Sequence, residues 1–549
     1  MKKRLFIAND SSFIPSGYGV YGKEILSRLH NSGKYEVAEL GCYATESDNR
    51  IHNIPWKFYP NAVNSDDPNI GKYKENGVNQ FGAWRFNRCI LDFKPHIVFD
   101  VRDYWMSAYQ EHSPYRRFFN WVIMPTVDSA PQKLEWYYTF KNADIVVPYT
   151  EWARSTLQAG GNGQINLFNK SANAGINPEE FFPIADKVSH KKKYFGENVN
   201  IIGSVMRNQK RKLIPDLMHV FRKYLDTLKG TDQYDKTFLY LHTSYPEENG
   251  WNIPELLLEH GICDKTYFSY KCRLCNKFFP AKFSGPLSQC KHCGNHNAAV
   301  FCSVANGVDT HDLNEIYNLF DIYIQYAICE GFGMPQVEAA ACGLPVASVD
   351  YSAMTEIVES VNGIKIPVKR LFRELETGAD RSYPDNDFTI KMLIDFFGSN
   401  KHLDKEYQNS IRTKCITKYS WDNVYKVWEE CFDSIDINNK IPWDTKTVFS
   451  TNHGDSTVPP NLNPKDFVNY ICNNIINEPY LINTAHVQII IKDVCEKIVA
   501  RGGTVNGFGH KNLVEIMEQH LNNKLVYEQL RQNVNSLNKE SYLTCQKTK

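Results

Sequence analysis

Nowhere in the 549 residues is there a run of about 18 apolar residues, so no segment reads as a membrane-spanning helix. Neither sign of charge prevails. Lys plus Arg number 62, as do Asp plus Glu, so no global field draws the chain to nucleic acid or to a membrane surface. Internal repeats and low-complexity tracts are also missing. The opening apolar run, Leu5-Phe6-Ile7-Ala8, is too short for a secretory signal and reads as a first strand. Cysteine is not scarce: 15 occur, scattered except for one cluster, and a reducing cytoplasm is the simplest compartment for them. Apolar residues at 42% and aromatics at 13% suffice for sizeable cores, and this length suggests two or three domains.

The most informative stretch runs from Cys329 to Val346, Cys-Glu-Gly-Phe-Gly-Met-Pro-Gln-Val-Glu-Ala-Ala-Ala-Cys-Gly-Leu-Pro-Val. It reads as a Gly-rich loop entering a short helix. Pro335 suits the first helical turn, where its missing N–H costs nothing. Gly343 suits the left-handed residue that ends a helix, and Pro345 follows as a stop. The free N–H groups at the helix start, with Gly331 and Gly333, make an anion site. Two carboxylates, Glu330 and Glu338, flank it. A carboxylate repels phosphate, so its fitting role here is to accept hydrogen bonds from sugar hydroxyls. A diphosphate with two polyhydroxyl groups describes a nucleotide sugar.

This stretch resembles the donor-binding signature of retaining GT-B glycosyltransferases, especially glycosyltransferase family 4, in which two Glu stand in E-x7-E spacing with Gly-Phe-Gly after the first. The resemblance covers about residues 1–435. It implies an α/β protein of two Rossmann-like domains facing a cleft. It also implies that Glu330 contacts the donor sugar and Glu338 the ribose, while Gly331, Phe332, Gly333 and Met334 line the donor through their backbone.

The hydrophobic pattern agrees with that architecture. Leu5–Ala8, Tyr35–Leu40, His96–Phe99, Trp121–Met124 and Asp144–Val147 read as parallel strands of a first domain, residues 1–186. A Gly-rich turn with Gly17 and Gly19 follows the first strand, where a doubly wound domain holds phosphate or substrate. A second series, residues 194–418, holds Ile201–Val205, Thr237–His242, Ala299–Val304, Asp321–Tyr326, Pro345–Val349 and Gly363–Pro367. The Lys-rich stretch 187–193 reads as the linker between the two. Residues 419–437 resemble the helix that in such enzymes crosses back to the first domain. Residues 438–462 read as a polar linker, and 463–549 as a helical accessory domain, opened by Asn463 as cap and Pro464 in the first turn.

Departure of a nucleoside diphosphate builds negative charge, which positioned cations stabilise. The family carries an Arg and a Lys after the first strand of its second domain, and Arg207 and Lys212 match that spacing. Their neighbours Lys210 and Arg211 read as a solvated basic turn. Where many relatives have a His, this chain has Asp128, suited to bind sugar hydroxyls or receive the acceptor proton. Asp100 and Asp103 end another strand and are candidates for the acceptor side.

Cys272-x2-Cys275 and Cys290-x2-Cys293 form a four-thiolate pattern, predicting a structural Zn2+ with no open position. His292 and His296 are candidate substitutes. The segment 264–301 reads as a zinc-ribbon insertion in the second domain, with a net of five positive charges and interleaved aromatics. No catalytic metal is expected. The leading expectation is a retaining hexosyltransferase that uses a UDP- or GDP-hexose and a saccharide, lipid-linked or protein acceptor. A modified base in DNA is an alternative acceptor, and a non-catalytic GT-B scaffold protein an alternative of another class.

Overall fold

The computed structural model describes residues 2–113, 115–303, 306–443 and 463–466. Two α/β domains face one another. The first holds six parallel strands: β1 Lys3–Asp10, β2 Tyr35–Cys42, β3 Lys57–Pro60, β4 Ile97–Asp100, β5 Asn120–Ile123 and β6 Ile145–Val146. Their order is β3-β2-β1-β4-β5-β6. The interior strands are almost wholly buried, as continuous apolar runs covered on both faces must be. Strand β3 escaped the sequence pattern because it is a short edge strand whose residues are only half covered.

The second sheet has nine strands. They are β7 Asn200–Val205, β8 Thr237–His242, β9 Thr266–Cys272, β10 Phe278–Lys282, β11 Leu287–Ser288, β12 Ala299–Phe301, β13 Ile322–Gln325, β14 Val346–Val349 and β15 Ile364–Ile366. Its parallel part runs β9-β8-β7-β13-β14-β15. The helix Ile214–Thr227 covers one face through Leu217, Val220, Phe221 and Tyr224, all buried.

Three readings of the sequence need correction. The segment 264–301 is not a pure insertion. Its first strand, β9, pairs in parallel with β8 and is the third parallel strand of the domain, while β10 and β12 flank it antiparallel. The Lys-rich stretch 187–193 is not a linker but most of a helix, Lys187–Phe195, capped by Asp186 and ended by Gly196 in the left-handed region. It is docked by a buried ion pair, Lys191 Nζ to Asp321 Oδ2 at 2.5 Å. The polar linker is settled over its first residues: Trp443 stacks on Phe118 at 4.8 Å and donates to the Pro95 carbonyl.

A two-stranded hairpin, β16 Val368–Arg373 and β17 Asp380–Pro384, follows the second sheet and was not foreseen. The helix Trp421–Ser434 then returns to the first domain. There Trp428 Nε1 donates to Tyr21 Oη at 2.8 Å, and Lys3 Nζ donates to the Phe432 and Ile435 carbonyls. The expected accessory domain, 463–549, lies outside the described residues except for 463–466. Among the described residues no helix is long and apolar enough to cross a membrane.

Candidate functional site

The strand ends of both domains meet at a cleft. Gly331, in the loop after β13, lies so close to the first domain that a Cβ there would stand 2.1 Å from Thr126 Cγ2. Phe332 stacks on Tyr149 of the first domain, rings 5.2 Å apart, and meets Tyr419 edge-on. Its ring is therefore an interdomain anchor, and only its backbone remains for a ligand. Gly333 takes φ +102° as the N-cap of the helix Met334–Ala341, a backbone conformation side chains rarely adopt. Pro335 sits in the first turn. Gly343 at φ +71° ends the helix, with its N–H on the Ala340 carbonyl. Gln336, fully buried in the first turn, has both amide atoms unpartnered.

Glu330 is the hub. It is 5% exposed and accepts from the Lys212 ammonium, from Arg211 Nη1 at 2.7 Å and from Gln325 Nε2 at 2.8 Å. Gln325 in turn accepts from the buried Tyr323 hydroxyl. Ser352 Oγ fixes the Glu330 backbone, lying 3.0 Å from both its N–H and its carbonyl, and Ser352 itself adopts φ +54° without being glycine. Such a conformation persists where the surroundings over-determine it.

One expectation about the cations is corrected: Arg211, read as solvated, reaches Glu330. Arg207 pairs with Glu247. Both arginines line a cavity of about 650 Å³ together with Lys210, Glu247, Trp251 and Glu374. Nothing in the spacing of Arg-Asn-Gln-Lys-Arg-Lys tells Arg207 from Arg211. The turn from Met206 to the start of the helix at Ile214 decides it, bringing the Ile328 N–H onto the Arg211 carbonyl.

Glu338 lies in the helix Met334–Ala341 and accepts from Tyr317 Oη at 2.6 Å. Burial raises its carboxyl to about 7, against the lowering effect of that hydrogen bond.

From the first domain, Gly17 faces Met334: a Cβ at Gly17 would stand 3.9 Å from the methionine sulfur. Both Gly17 and Gly19 lie in the first turn of the helix Gly17–Asn31, whose cap Ser16 accepts from the Gly19 N–H. With Gly22 they have the Gly-x-Gly-x-x-Gly spacing of dinucleotide sites, a pattern the sequence reading missed. Packing accounts for two of the three. A Cβ at Gly19 would meet the Ile14 carbonyl at 2.2 Å, and one at Gly22 would meet Asn9 Nδ2 at 2.6 Å.

Asp128 is held in a web of donors: Arg381 Nη1 at 3.0 Å, Cys329 Sγ at 3.2 Å and Ser129 Oγ at 2.8 Å. Asp100 is a buried partner of Arg102 and belongs to the core, not to the acceptor side. Asp103 faces the cleft beside Tyr18, Thr126 and Asp128, and burial together with Asp128 pushes its carboxyl up to about 6. Arg381 was missed because it rides on the unforeseen hairpin. The hairpin carries no clean period-2 signal, since Val-Lys-Arg-Leu-Phe-Arg does not alternate, and only the turn at Gly378 marked it.

The four cysteines converge. Their sulfurs all lie within 4.8 Å of one another, with Cys272 to Cys293 and Cys275 to Cys290 both 3.7 Å. A tetrahedral shell with metal–sulfur bonds near 2.3 Å needs sulfurs roughly 3.8 Å apart. Backbone N–H groups of Leu274 and Cys275 point at Cys272 Sγ, and those of His292 and Cys293 at Cys290 Sγ. The donor set thus fits a metal. His292 instead meets the Phe278 carbonyl, and His296 is exposed.

Comparison with known proteins bears on the fold and on one segment of the second domain. Residues 288–371, which include both Glu330 and Glu338, match the profile of the family Glycosyl transferases group 1. An uncharacterized glycosyltransferase of Methanocaldococcus jannaschii, MJ1607, is 29% identical over 138 residues, 25% of this chain and 30% of the relative. The match thus spans under a third of that relative. Among solved structures, the sucrose-phosphate synthase of Thermosynechococcus elongatus superposes with a TM-score of 0.56 at 14% identity, covering 79% of this chain and all of that one. Anabaena Alr3699/HepE in complex with UDP-glucose superposes with a TM-score of 0.54 at 13% identity, covering 79% and 100%. The expected two-domain α/β fold is borne out.

Proposed function

We propose that the protein is a retaining glycosyltransferase moving a hexose from a UDP- or GDP-hexose to a saccharide, lipid-linked or protein acceptor. The second domain of this GT-B chain carries the glycosyl transferases group 1 segment. One observation carries the reading: a helix start at the interdomain cleft, flanked by Glu330 and Glu338 and served by Lys212 and Arg211. The helix N–H groups and the two cations suit a diphosphate; the carboxylates suit hydroxyls of the sugar and ribose.

In this reading the protein supplies position and charge rather than a nucleophile. Leaving-group departure and acceptor attack share one face of the sugar. The anomeric C–O bond to the diphosphate breaks, the acceptor oxygen bonds to that carbon, and its proton passes to the departing diphosphate oxygen. Lys212 and Arg211 stabilise the growing charge, with Arg207 drawn in from the cavity wall. Glu330 and Ser352 fix the loop. Asp103 and Asp128 mark the acceptor side.

Cys272, Cys275, Cys290 and Cys293 are proposed to hold one structural Zn2+, which contributes folding energy to the ribbon. No step of transfer passes through it.

A panel of nucleotide sugars, scored by thermal shift and then by release of nucleoside diphosphate, tests the proposal. One donor should stabilise the protein and be turned over. Glu330→Ala and Glu338→Ala should each weaken transition-state or donor binding by about 1–3 kcal/mol. No stabilisation by any nucleotide sugar, or normal kinetics in both variants, would overturn it.

A further inference from the structure

Arg207 stands where the resemblance puts a diphosphate ligand, yet its guanidinium is already engaged. Nε donates to Glu247 Oε1 at 2.8 Å, and Nη2 donates to the same oxygen. The other carboxylate oxygen accepts from Ser244 Oγ. The two partners differ in how firmly they are held. The Glu247 side chain is 13% exposed, whereas the Arg207 side chain is 53% exposed. Glu247 is the fixed member and Arg207 the movable one. Both line the cavity that also receives Lys210 and Arg211, on the side of the loop leading to Lys212.

A guanidinium edge accommodates one oxyanion at a time, carboxylate or phosphate. We propose that Glu247 is a built-in stand-in for the donor's diphosphate: it holds Arg207 while the site is empty, and donor binding is an exchange of partners. This rests on the glycosyltransferase reading above. The exchange has two consequences. Donor affinity is lowered by the strength of the resting pair, because only molecules with Arg207 released bind fully. After transfer, Glu247 competes to recover Arg207 and so speeds loss of the nucleoside diphosphate.

The test is calorimetric titration of the full-length protein with inorganic pyrophosphate and with UDP and GDP. Wild type, Glu247→Gln, Arg207→Ala and the double variant are compared. Glu247→Gln should bind pyrophosphate tighter by about two- to fivefold, the strength expected of a half-exposed ion pair. Ser244→Ala, which frees Glu247 from its anchor, should move affinity the same way by less. In the Arg207→Ala background the Glu247→Gln gain should vanish. A gain of equal size without Arg207 would show a simple field effect and overturn the exchange. So would unchanged or weaker binding by both folded Glu247→Gln and Ser244→Ala. If the wild type binds none of the three probes, the glycosyltransferase reading itself fails and takes the exchange with it.

Discussion

Asp128 of the first domain and Arg381 of the second lie 3.0 Å apart, carboxylate oxygen to guanidinium nitrogen, and so tie the two halves of the cleft together. Arg381 also donates to Glu374 across its own hairpin, at 2.8 Å. The Asp380 N–H reinforces the tie by donating to the Ala130 carbonyl. Arg381→Ala leaves two carboxylates facing one another without their cation. It should lower stability by about 1–2 kcal/mol, discounted for the partly exposed Asp128. Amide exchange should quicken at 126–131 and 374–382. Arg381→Lys should rescue only in part, because a single ammonium does not bridge both partners. Unchanged exchange at both segments counts against a tie.

Two neighbouring cations of the basic turn, Lys210 and Arg211, should separate in kinetics. Arg211 reaches Glu330, so Arg211→Ala should lower turnover by at least about tenfold. Lys210→Ala, one residue away and exposed, should stay within about twofold. Equal losses in the two variants would mean that the turn acts only by general charge.

Glu338 gives the site a pH dependence. Its carboxyl is raised from the ordinary 4.5 to about 7, chiefly by burial. The sign follows from which form the fold prefers. The protonated form is favoured, so its contribution to stability is full below about 4.5 and is lost as pH rises through about 7. In the proposed role, Glu338 accepts from the ribose hydroxyls in its ionised form. Nucleotide affinity should therefore rise as pH goes from about 6 to about 8, and Glu338→Gln should flatten that rise. Calorimetry at three pH values checks it; a slope that persists in Glu338→Gln assigns the titration elsewhere.

The sequence disclosed those parts of the site that are written locally. Gly333, Pro335 and Gly343 are each demanded by a backbone position within one loop and helix, so their spacing exposed the element. The buried parallel strands were legible for the same reason, as continuous apolar runs bounded by turns. What stayed hidden depends on contacts far apart in the chain. Arg211 and Arg207 look alike until Glu330 and Glu247 are brought in from 119 and 40 positions away. Strand β9 was hidden by its own cysteine: the Cys272 knuckle drew the whole run into the ribbon. The glycines at 17, 19 and 22 show the opposite error, a ligand-like spacing that was overlooked and that packing largely explains.

Loss of metal should reach beyond the ribbon. Chelation or Cys290→Ser frees the end of β9, and Leu239, Tyr240 and Leu241 of β8 pair directly with that strand. Tyr245, just past β8, packs on Phe283 and Phe301 of the ribbon. New proteolytic cuts should therefore appear not only within 273–298 but also in the loop 243–251. Elemental analysis should find about one zinc per chain. Cuts confined to 273–298, with the loop as resistant as before, would show the ribbon to be uncoupled from the sheet.

The place of β9 in the sheet also limits how the protein can be taken apart. An appended module is removed at its two ends and the parent closes over the gap. Here excision of 264–301 would take away a strand, expose the flank of β8 as a bare edge, and invite pairing with another chain. Residues 273–298 cannot be cut out whole either, although Cys272 and Ala299 stand opposite one another in register, because they carry β10, which pairs along the other flank of β9. The limit on what can be removed is thus set by strand pairing and not by the cysteines.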